Sequence, residues 1–375
     1  MGMTESTSTD TGSHLYEALA ARIRKSICQG AYQPGELIGS EYELAREESV
    51  SRMTVRRACT LLVREGLVER RPGKGLYATG GRGHAVPIAT RMIQIVAGNL
   101  RWESTLQMSR GVQSIAKRER IQVQLYDAHG DMELDMAMLR QLPSGQAKGA
   151  VIVSLQTPPF CEAVYRLKTT GFPFVLADHR LRDIEVPSIT ADNYAGGYAA
   201  GRALLEKGHK RIAFVGDLVA ATVQDRLAGL RDAMADAAIP MPRSLIADVL
   251  AGKDRLGDWS ASVEECTRDL LQRPAPPTAI FFSCDAVARL AYRTLAAMGL
   301  NIPGDVSVIG FDDDPLAEWL PPPLTTVRQP FFAMGQAAME LLCKRMNDSN
   351  TPVEHRVMPV ELVERGSVAP PGASA

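Results

Sequence analysis

The segment ESVSRMTVRRA at residues 48–58 contains the start and both faces of a predicted helix. Ser51 has a side chain suited to an N-cap, so a helix is predicted to begin directly after it. Apolar residues then recur at helical spacing and are expected to face a core. This predicted inner face consists of Val55, Ala58 and Leu62. The predicted outer face carries Arg52, Arg56 and Arg57, whose guanidinium groups suit phosphates and guanine edges.

The neighbouring segments predict a winged helix-turn-helix. Upstream, Ser40 and Glu43 have the spacing of a capping box, which predicts a helix that begins there. Two helices joined by a short turn form a helix-turn-helix. Downstream, residues 67–79 predict a β-hairpin, the wing, whose tight turn PGKG spans 72–75. A helix before these elements is predicted from an apolar stripe that ends near Gly30. The stripe consists of Leu15, Leu19, Ile23 and Ile27.

From Tyr16 to Tyr77 the sequence resembles the GntR family of bacterial transcription factors. The matching residues are GAYQPG at 30–35, Ser40, Glu41, Glu43, Leu44, Ala45, Val50, Ser51, Arg52, Thr54, Val55, Arg56, Ala58, Leu61, Leu62, EGL at 65–67, Gly73 and Gly75. One departure is Gly39, which stands where that family usually has a proline before the Ser-Glu pair. The resemblance implies binding of double-stranded DNA, with contacts from the helix after Ser51, from the preceding helix and from the wing. The residues expected to bind DNA are Glu41, Ser51, Arg52, Thr54, Arg56, Arg57, Lys74 and Gly75.

The charge of this region is too small for strong binding by one copy. Residues 13–79 contain eleven Lys or Arg and eight Asp or Glu, so the net charge is 11 − 8 = +3. Pairing two copies on a pseudo-palindromic operator multiplies the phosphate contacts. The sequence therefore predicts a homodimer, and similar repressors dimerise through the region that follows the wing.

The chain has 375 residues, so 375 − 79 = 296 residues follow the winged domain at 13–79, enough for two further lobes. A polar tail is expected at 1–12, a linker at 80–90 and a second tail at 366–375. No apolar run approaches the roughly 20 residues of a membrane span, and no export signal is recognised. Six scattered cysteines lack metal-ligand spacing. These features predict a cytoplasmic protein with no membrane contact, no metal and no cofactor.

From Met92 onward, near-continuous apolar strands alternate with helices, a pattern typical of parallel α/β sheets covered on both faces. Ligands of such sheets bind at the carboxyl ends of the strands. Polar residues follow four predicted strands at that end. They are Asp178, Asp217, the Cys284/Asp285 pair and Asp312. Taken alone, these carboxylates could coordinate a metal, work as paired acids or accept hydrogen bonds from hydroxyl groups, and Asp285 could instead cap a helix.

Residues 91 to about 365 resemble the effector domain of lactose/galactose repressors, which is similar to periplasmic sugar-binding proteins. The most specific match is IPGDVSVIGFDD at 302–313, followed by PPLTTV at 322–327. The resemblance implies two lobes joined by three crossings, with a small ligand between them. Lobe one is expected at 91–190 and 324–348, and lobe two at 191–321 and 352–365. The expected effector contacts are Trp102, Asp178, Arg226, Cys284, Asp285 and Asp312.

These contacts favour a sugar or sugar derivative as the effector. An Arg donor and an Asp acceptor, one from each side of the cleft, would bind neighbouring hydroxyls, and Trp102 would cover the apolar face of the ring. Cys284 stands where the family often has Asn. A purine-like co-repressor remains the second interpretation, ranked lower because Phe, Trp and Tyr make up only 6% of the chain.

Enzyme classes find little support, because the chain contains no GxGxxG after a strand, no GxxxxGK[ST], no HExxH and no GxSxG. A stand-alone carbohydrate-binding protein is disfavoured by the N-terminal domain. The sequence therefore predicts an effector-controlled transcription regulator, with a repressor favoured. It does not indicate whether the effector induces or co-represses, nor which operator is read.

Overall fold

The computed structural model describes residues 11–79, 91–154, 158–181, 183–250 and 259–372. The chain divides into two compact units, Met1–Thr90 and Arg91–Ala375. The linker predicted at 80–90 and residues 1–10 of the predicted tail lie outside the described residues. The end of that tail is different, because helix α1 already begins at Thr11. Among the described residues, no helix combines the length and apolar character needed to cross a membrane.

The first unit is a winged helix-turn-helix, as the sequence predicts. Its elements are α1 (Thr11–Cys28), β1 (Leu37–Gly39), α2 (Glu41–Glu47), α3 (Arg52–Arg64), β2 (Val68–Arg71) and β3 (Gly75–Ala78). The strands form an antiparallel sheet in the order β1-β3-β2. Strand β1 was not predicted. It runs into Gly39, whose φ of 147° lies outside the range open to proline, so the departure from the family proline follows from the local backbone.

Both predicted helix starts are confirmed. The hydroxyl of Ser40 accepts a hydrogen bond from the Glu43 amide at 3.2 Å, and the Glu43 carboxylate accepts one from the Ser40 amide at 2.7 Å. Ser51 accepts from the Thr54 amide at 3.1 Å at the start of α3. Such caps satisfy helix amides that have no partner within the helix, and each contributes about 1 kcal/mol. The two helices of the motif therefore begin where side-chain chemistry fixes them.

The core of this unit joins α1, α3 and the wing. Most of its buried side chains belong to the apolar stripes predicted for α1 and α3. The buried members are Leu19, Ile23, Ile27, Val55, Ala58 and Leu62, joined by Leu44, Val68 and Leu76. Leu15 was predicted to belong to the α1 stripe, but it is 51% exposed because it lies one turn beyond the packed part of the helix.

The second unit consists of two α/β lobes, each with a six-stranded sheet. The strands and helices of its first part are β4 (Met92–Ala97), α4 (Glu103–Arg118), β5 (Gln122–Asp127), α5 (Met132–Gln141), β6 (Ala150–Val153), α6 (Pro158–Thr169), β7 (Phe174–Ala177), β8 (Ser188–Ala191), α7 (Asn193–Glu206) and β9 (Ile212–Gly216). Those of its second part are α8 (Ala221–Asp236), β10 (Ile246–Asp248), α9 (Ser260–Leu271), β11 (Ala279–Phe282), α10 (Asp285–Ala297), β12 (Ser307–Asp312), β13 (Thr325–Arg328), α11 (Phe331–Asn347), β14 (His355–Met358) and β15 (Glu361–Val363).

The sheet of lobe one has the order β14-β8-β7-β6-β4-β5, and that of lobe two has the order β10-β9-β11-β12-β13-β15. All pairs are parallel except β13 with β15. Helices cover both faces of each sheet, with α4 and α11 on one face of lobe one and α7 and α8 on one face of lobe two. The chain passes between the lobes after β8, after β13 and after β14, so the expected three crossings are confirmed.

Strand pairing corrects the expected lobe boundaries at two places. Residues 325–328 were assigned to lobe one, but β13 pairs with β12 in lobe two. Residues 355–358 were assigned to lobe two, but β14 pairs with β8 in lobe one. The segments are short, and only hydrogen bonds to distant strands determine which sheet they join.

The predicted tail at 366–375 is also wrong for its described part. Ser367 is fully buried and donates to the Val308 carbonyl at 2.6 Å. The ring of His209, shortly after α7, lies within hydrogen-bond distance of Thr278, Ser307 and the Ala369 carbonyl. Residues 367–369 are thereby fixed to lobe two.

Candidate functional site

Three arginines of α3 point into solvent from the first two turns of the helix. Arg52, Arg56 and Arg57 are exposed, and none of them forms an ion pair with another described residue. Ser51 and Thr54 hold the helix start, because their hydroxyls lie 2.8 Å apart while Ser51 caps the Thr54 amide. The outer face of α3 therefore carries three arginines without ion-pair partners among the described residues, close to a helix start that is fixed by its cap.

Other arginines of this unit are engaged. Arg24 donates to Glu65 at 2.9 Å, Arg22 pairs with Glu48, and Arg71 pairs with Glu69. Glu41, expected to assist DNA binding, forms an ion pair with Arg70, with 2.7 Å between Oε1 of Glu41 and Nη2 of Arg70. This pair ties α2 to strand β2, so Glu41 has a structural partner that the sequence did not reveal.

The wing turn presents Lys74 and is shaped by Gly75. Lys74 is exposed at the tip. Gly75 has a φ of 105°, and a Cβ atom there would lie 2.9 Å from Cδ1 of Leu37 and 3.0 Å from the Gly39 carbonyl oxygen. Glycine is thus required where the turn packs against β1. This structural requirement explains Gly75 whether or not it also contacts DNA.

In the second unit, a cleft of about 900 Å³ lies between the two lobes at the carboxyl ends of their strands. Five of the six predicted effector contacts line it. They are Trp102 and Asp178 from lobe one, and Arg226, Cys284 and Asp312 from lobe two. The sixth, Asp285, is absent from the lining.

Arg226 is the central cation of the cleft and is only 5% exposed. Its guanidinium lies 3.8 Å from the centre of the Phe311 ring, and Nε donates to Oδ1 of Asn193 at 2.8 Å. Nη1 is 3.8 Å from Oδ1 of Asp312 and also donates to the Ser283 carbonyl. The expectation that Arg226 and Asp312 lie on opposite sides of the cleft is therefore wrong, since α8 and β12 belong to the same lobe.

Asp178 is the acidic group that faces this pair from lobe one. It follows β7 with a φ of 65°, and its Oδ1 atom is buried with no hydrogen-bond partner among the described residues. Burial raises the pKa of Asp178 to about 6, and the nearby Arg226 charge acts in the opposite direction. An unpartnered buried acceptor is costly, so this atom is suited to accept a hydrogen bond from a ligand.

Asp312 ends β12 and is paired with a residue that sequence reasoning missed. Gln329, on the crossing after β13, donates from Nε2 to Oδ1 of Asp312 at 2.7 Å. Its own Oε1 is buried and has no partner among the described residues. Burial raises the pKa of Asp312 to about 7, opposed by Arg226 and reinforced by Asp178. The Gln-Pro pair at 329–330, directly after strand β13, was the available local sequence signal that the chain leaves the sheet there.

Asp285 supports the cleft wall from behind. Its carboxylate accepts from the Thr326 hydroxyl at 2.6 Å and from the Asp314 amide at 2.8 Å. Burial and the nearby Asp312 charge raise its pKa well above the usual value. Asp285 thus lies outside the cleft lining, although it was expected to contact the effector, and its side chain does not cap α10. It holds the loop after β12 in place.

Aromatic rings also line the cleft. Trp102 lies just before α4 and is 38% exposed. Trp259 and Phe332 line the same cleft, although neither was among the predicted contacts, whereas Trp319 is 81% exposed and outside the lining. Burial raises the pKa of the Cys284 thiol to about 12, so Cys284 lines the cleft as a protonated thiol. No group of three or more potential metal ligands is found in the described ranges.

Two family models match the chain. The model for bacterial regulatory proteins of the gntR family matches residues 15–77, and that for the periplasmic binding protein-like domain matches residues 202–368. The arabinose metabolism transcriptional repressor of Geobacillus stearothermophilus is 27% identical over 332 residues, covering 87% of this chain and 90% of the relative. The transcriptional repressor PurR of Shigella dysenteriae is 32% identical over 249 residues, covering 65% of this chain and 70% of the relative.

The chain is also similar to a solved structure. A LacI family transcriptional regulator from Enterococcus faecium with bound ribose has a TM-score of 0.62 and 26% identity, covering 75% of this chain and 99% of its own. A winged helix-turn-helix joined to a two-lobed ligand cleft defines a DNA-binding transcription regulator. This chain belongs to the LacI-type transcription regulators with a periplasmic-binding-protein-like effector domain, and its DNA-binding domain is of the GntR family.

Proposed function

We propose that this regulator is a repressor whose interlobe cleft binds a sugar or sugar derivative. The observation that carries the proposal is the arrangement of three polar side chains around the same space. Arg226 supplies a cationic donor, while Oδ1 of Asp178 and Oε1 of Gln329 are buried acceptors with no partner among the described residues. A hydroxyl group both donates and accepts hydrogen bonds, so a polyol satisfies all three.

The apolar lining fits the same ligand class. Trp102 of lobe one is partly exposed within the cleft and provides a flat surface for the C–H face of a sugar ring. The similar Enterococcus faecium regulator has ribose bound, and the similar Geobacillus stearothermophilus protein is a repressor of arabinose metabolism. These relatives support a sugar as the effector here.

A purine-like effector is the second candidate, favoured by a specific observation. Trp102, Trp259 and Phe332 all line the cleft. The cleft therefore contains several aromatic rings, although the chain as a whole has few. Stacking on these rings would then contribute more than paired hydroxyl contacts.

Thermal unfolding in the presence of single compounds distinguishes the candidates. A panel of pentoses, hexoses, disaccharides and free purines is tested on the full-length protein and on Arg226→Ala. A ligand at 100 times its dissociation constant stabilises by roughly 2.7 kcal/mol. We expect a sugar to stabilise the wild-type protein and to leave Arg226→Ala unchanged. Stabilisation by purines alone would overturn the sugar effector and leave the regulator assignment intact.

For the DNA-binding unit, we propose that Arg52, Arg56 and Arg57 contact the operator in the major groove. Lys74 would reach the minor groove from the wing. Ser51 and Thr54 would assist by fixing the start of α3, as their 2.8 Å contact supports. Two copies bound to two half-sites would supply the phosphate contacts that one weakly basic unit lacks. The second unit would form the dimer.

A further inference from the structure

The solvent-facing side of helix α3 carries one large apolar side chain, that of Met53. Met53 lies in the first turn of the helix and is 63% exposed. It precedes the buried Val55 by two residues, which places it about 200° around the helix axis from the core-facing side. Arg56 and Arg57 follow it by three and four residues and therefore lie on the same face.

Met53 has no packing role within its own unit. The core of this unit and the partly buried residues against it come from α1, α2, α3 and the wing, and Met53 is not among them in the described part of the chain. A single exposed apolar residue is ordinary on a protein surface. Met53 differs because it lies beside free guanidinium groups on the N-terminal turn of the helix, the part of a recognition helix that contacts base edges.

Resting on the proposed contact of α3 with the major groove, we propose that Met53 determines operator specificity by packing against the C5 methyl group of a thymine in each half-site. In the major groove, this methyl is the apolar group that distinguishes thymine from cytosine. The arginines beside Met53 select guanine or bind phosphates and cannot report a methyl group. A flexible thioether next to them adds an apolar contact to a charged surface. Met53 would thus contribute discrimination, while the guanidinium groups contribute most of the affinity.

The test removes only the methyl group from the DNA. An operator is first selected from random duplexes with the full-length protein. Each thymine of its half-site is then replaced, symmetrically and one position at a time, by deoxyuridine. Binding is measured for the wild-type protein, for Met53→Ala and for Leu15→Ala. Leu15, which is 51% exposed on α1, provides a matched truncation of an exposed apolar side chain.

At one thymine position, we expect deoxyuridine to weaken wild-type binding by about fourfold for each half-site, as for one buried methyl. Met53→Ala should bind the thymine and deoxyuridine operators equally at that position, and Leu15→Ala should discriminate as the wild type does. Circular dichroism checks that both variants are folded. The proposal is overturned if no thymine occurs in the half-site, if wild-type binding ignores every replacement, or if Met53→Ala retains the discrimination.

Discussion

At the scale of single residues, ion pairing separates the arginines of the DNA-binding unit into two groups. Arg24 and Arg70 are held by carboxylates at 2.9 Å and 2.7 Å, so their positive charge is partly neutralised within the protein. Arg52 and Arg56 have no such partner among the described residues. Because the unit has a small net charge, we expect the unpaired group to supply much of its contact with DNA.

The first prediction concerns this unpaired group. Replacing Arg52 by Ala should weaken operator binding by about 1 to 3 kcal/mol if its guanidinium is bidentate to a guanine. Arg24→Ala, which removes a paired arginine of the same unit, should change binding much less. Fluorescence anisotropy with a labelled operator measures both. Unchanged affinity in folded Arg52→Ala and Arg56→Ala proteins would show that α3 does not read the operator.

A second prediction concerns the acidity of the cleft. Burial raises the pKa of Asp312 to about 7, above the ordinary value of 3.8. A carboxyl group with a raised pKa binds its proton more tightly in the folded protein than in the unfolded chain. Its contribution to stability is therefore complete below pH 3.8 and is lost as the pH rises through 7. Without effector, the wild-type protein should lose stability relative to Asp312→Asn between pH 6 and pH 8.

Urea unfolding of both proteins at the two pH values measures this difference. The comparison with Asp312→Asn cancels the contributions of titrating groups that do not interact with Asp312. The Asp178 charge raises the pKa of Asp312, so the remaining difference belongs to this pair of carboxyl groups. An equal stability difference at pH 6 and pH 8 would mean that Asp312 does not titrate in this range.

At the scale of elements, each lobe contains one pair of helices in very close contact. In lobe two, α7 and α8 meet where a Cβ atom on Gly229 would collide with the Tyr194 carbonyl oxygen. In lobe one, α4 and α11 meet where a Cβ atom on Gly335 would collide with the Met108 carbonyl oxygen. In both cases the collision is with backbone, so it cannot be relieved by rotating a side chain.

The third prediction follows from this close contact. Gly229→Ala should destabilise the protein by about 1 to 3 kcal/mol through overpacking, although alanine favours an isolated helix by about 1 kcal/mol. Arg231→Ala, at an exposed position of the same helix, should change stability by less than about 0.5 kcal/mol. Denaturant unfolding compares the two variants. A Gly229→Ala protein as stable as the wild type would contradict the close approach of α7 and α8.

Local signals in the sequence predict some elements and not others. The caps at Ser40 and Ser51 lie within three residues of their partners, so the sequence alone locates both helices. Strands β13 and β14 have only four residues each, and pairing with distant strands decides their lobe. The roles of Asp285 and Gln329 likewise depend on Thr326 and Asp312, contacts that spacing along the chain does not show.

At the scale of the whole molecule, the fourth prediction is that the protein works as a homodimer. A net charge of +3 on residues 13–79 is small for tight DNA binding, so two copies on one pseudo-palindromic site are required. Analytical ultracentrifugation of the full-length chain at micromolar concentration should give a dimer without DNA. A monomer at that concentration would contradict the prediction. Binding to a single half-site as tightly as to the full operator would contradict it as well.

We expect the cleft to control operator binding through Arg226 and Asp312. A ligand shifts a protein between two states only by binding them with different affinity. Since neither residue lies in the DNA-binding unit, removing either should abolish the response to the effector without weakening operator binding itself.

The most direct measurement is titration of the operator complex with the sugar that stabilises the wild-type protein, followed by fluorescence anisotropy. We expect the wild type, Arg226→Ala and Asp312→Ala to bind the operator with similar affinity in the absence of the sugar. Addition of the sugar should then change only the affinity of the wild-type protein. A normal sugar response in both variants, or loss of operator binding in the absence of the sugar, would contradict control of operator binding through Arg226 and Asp312.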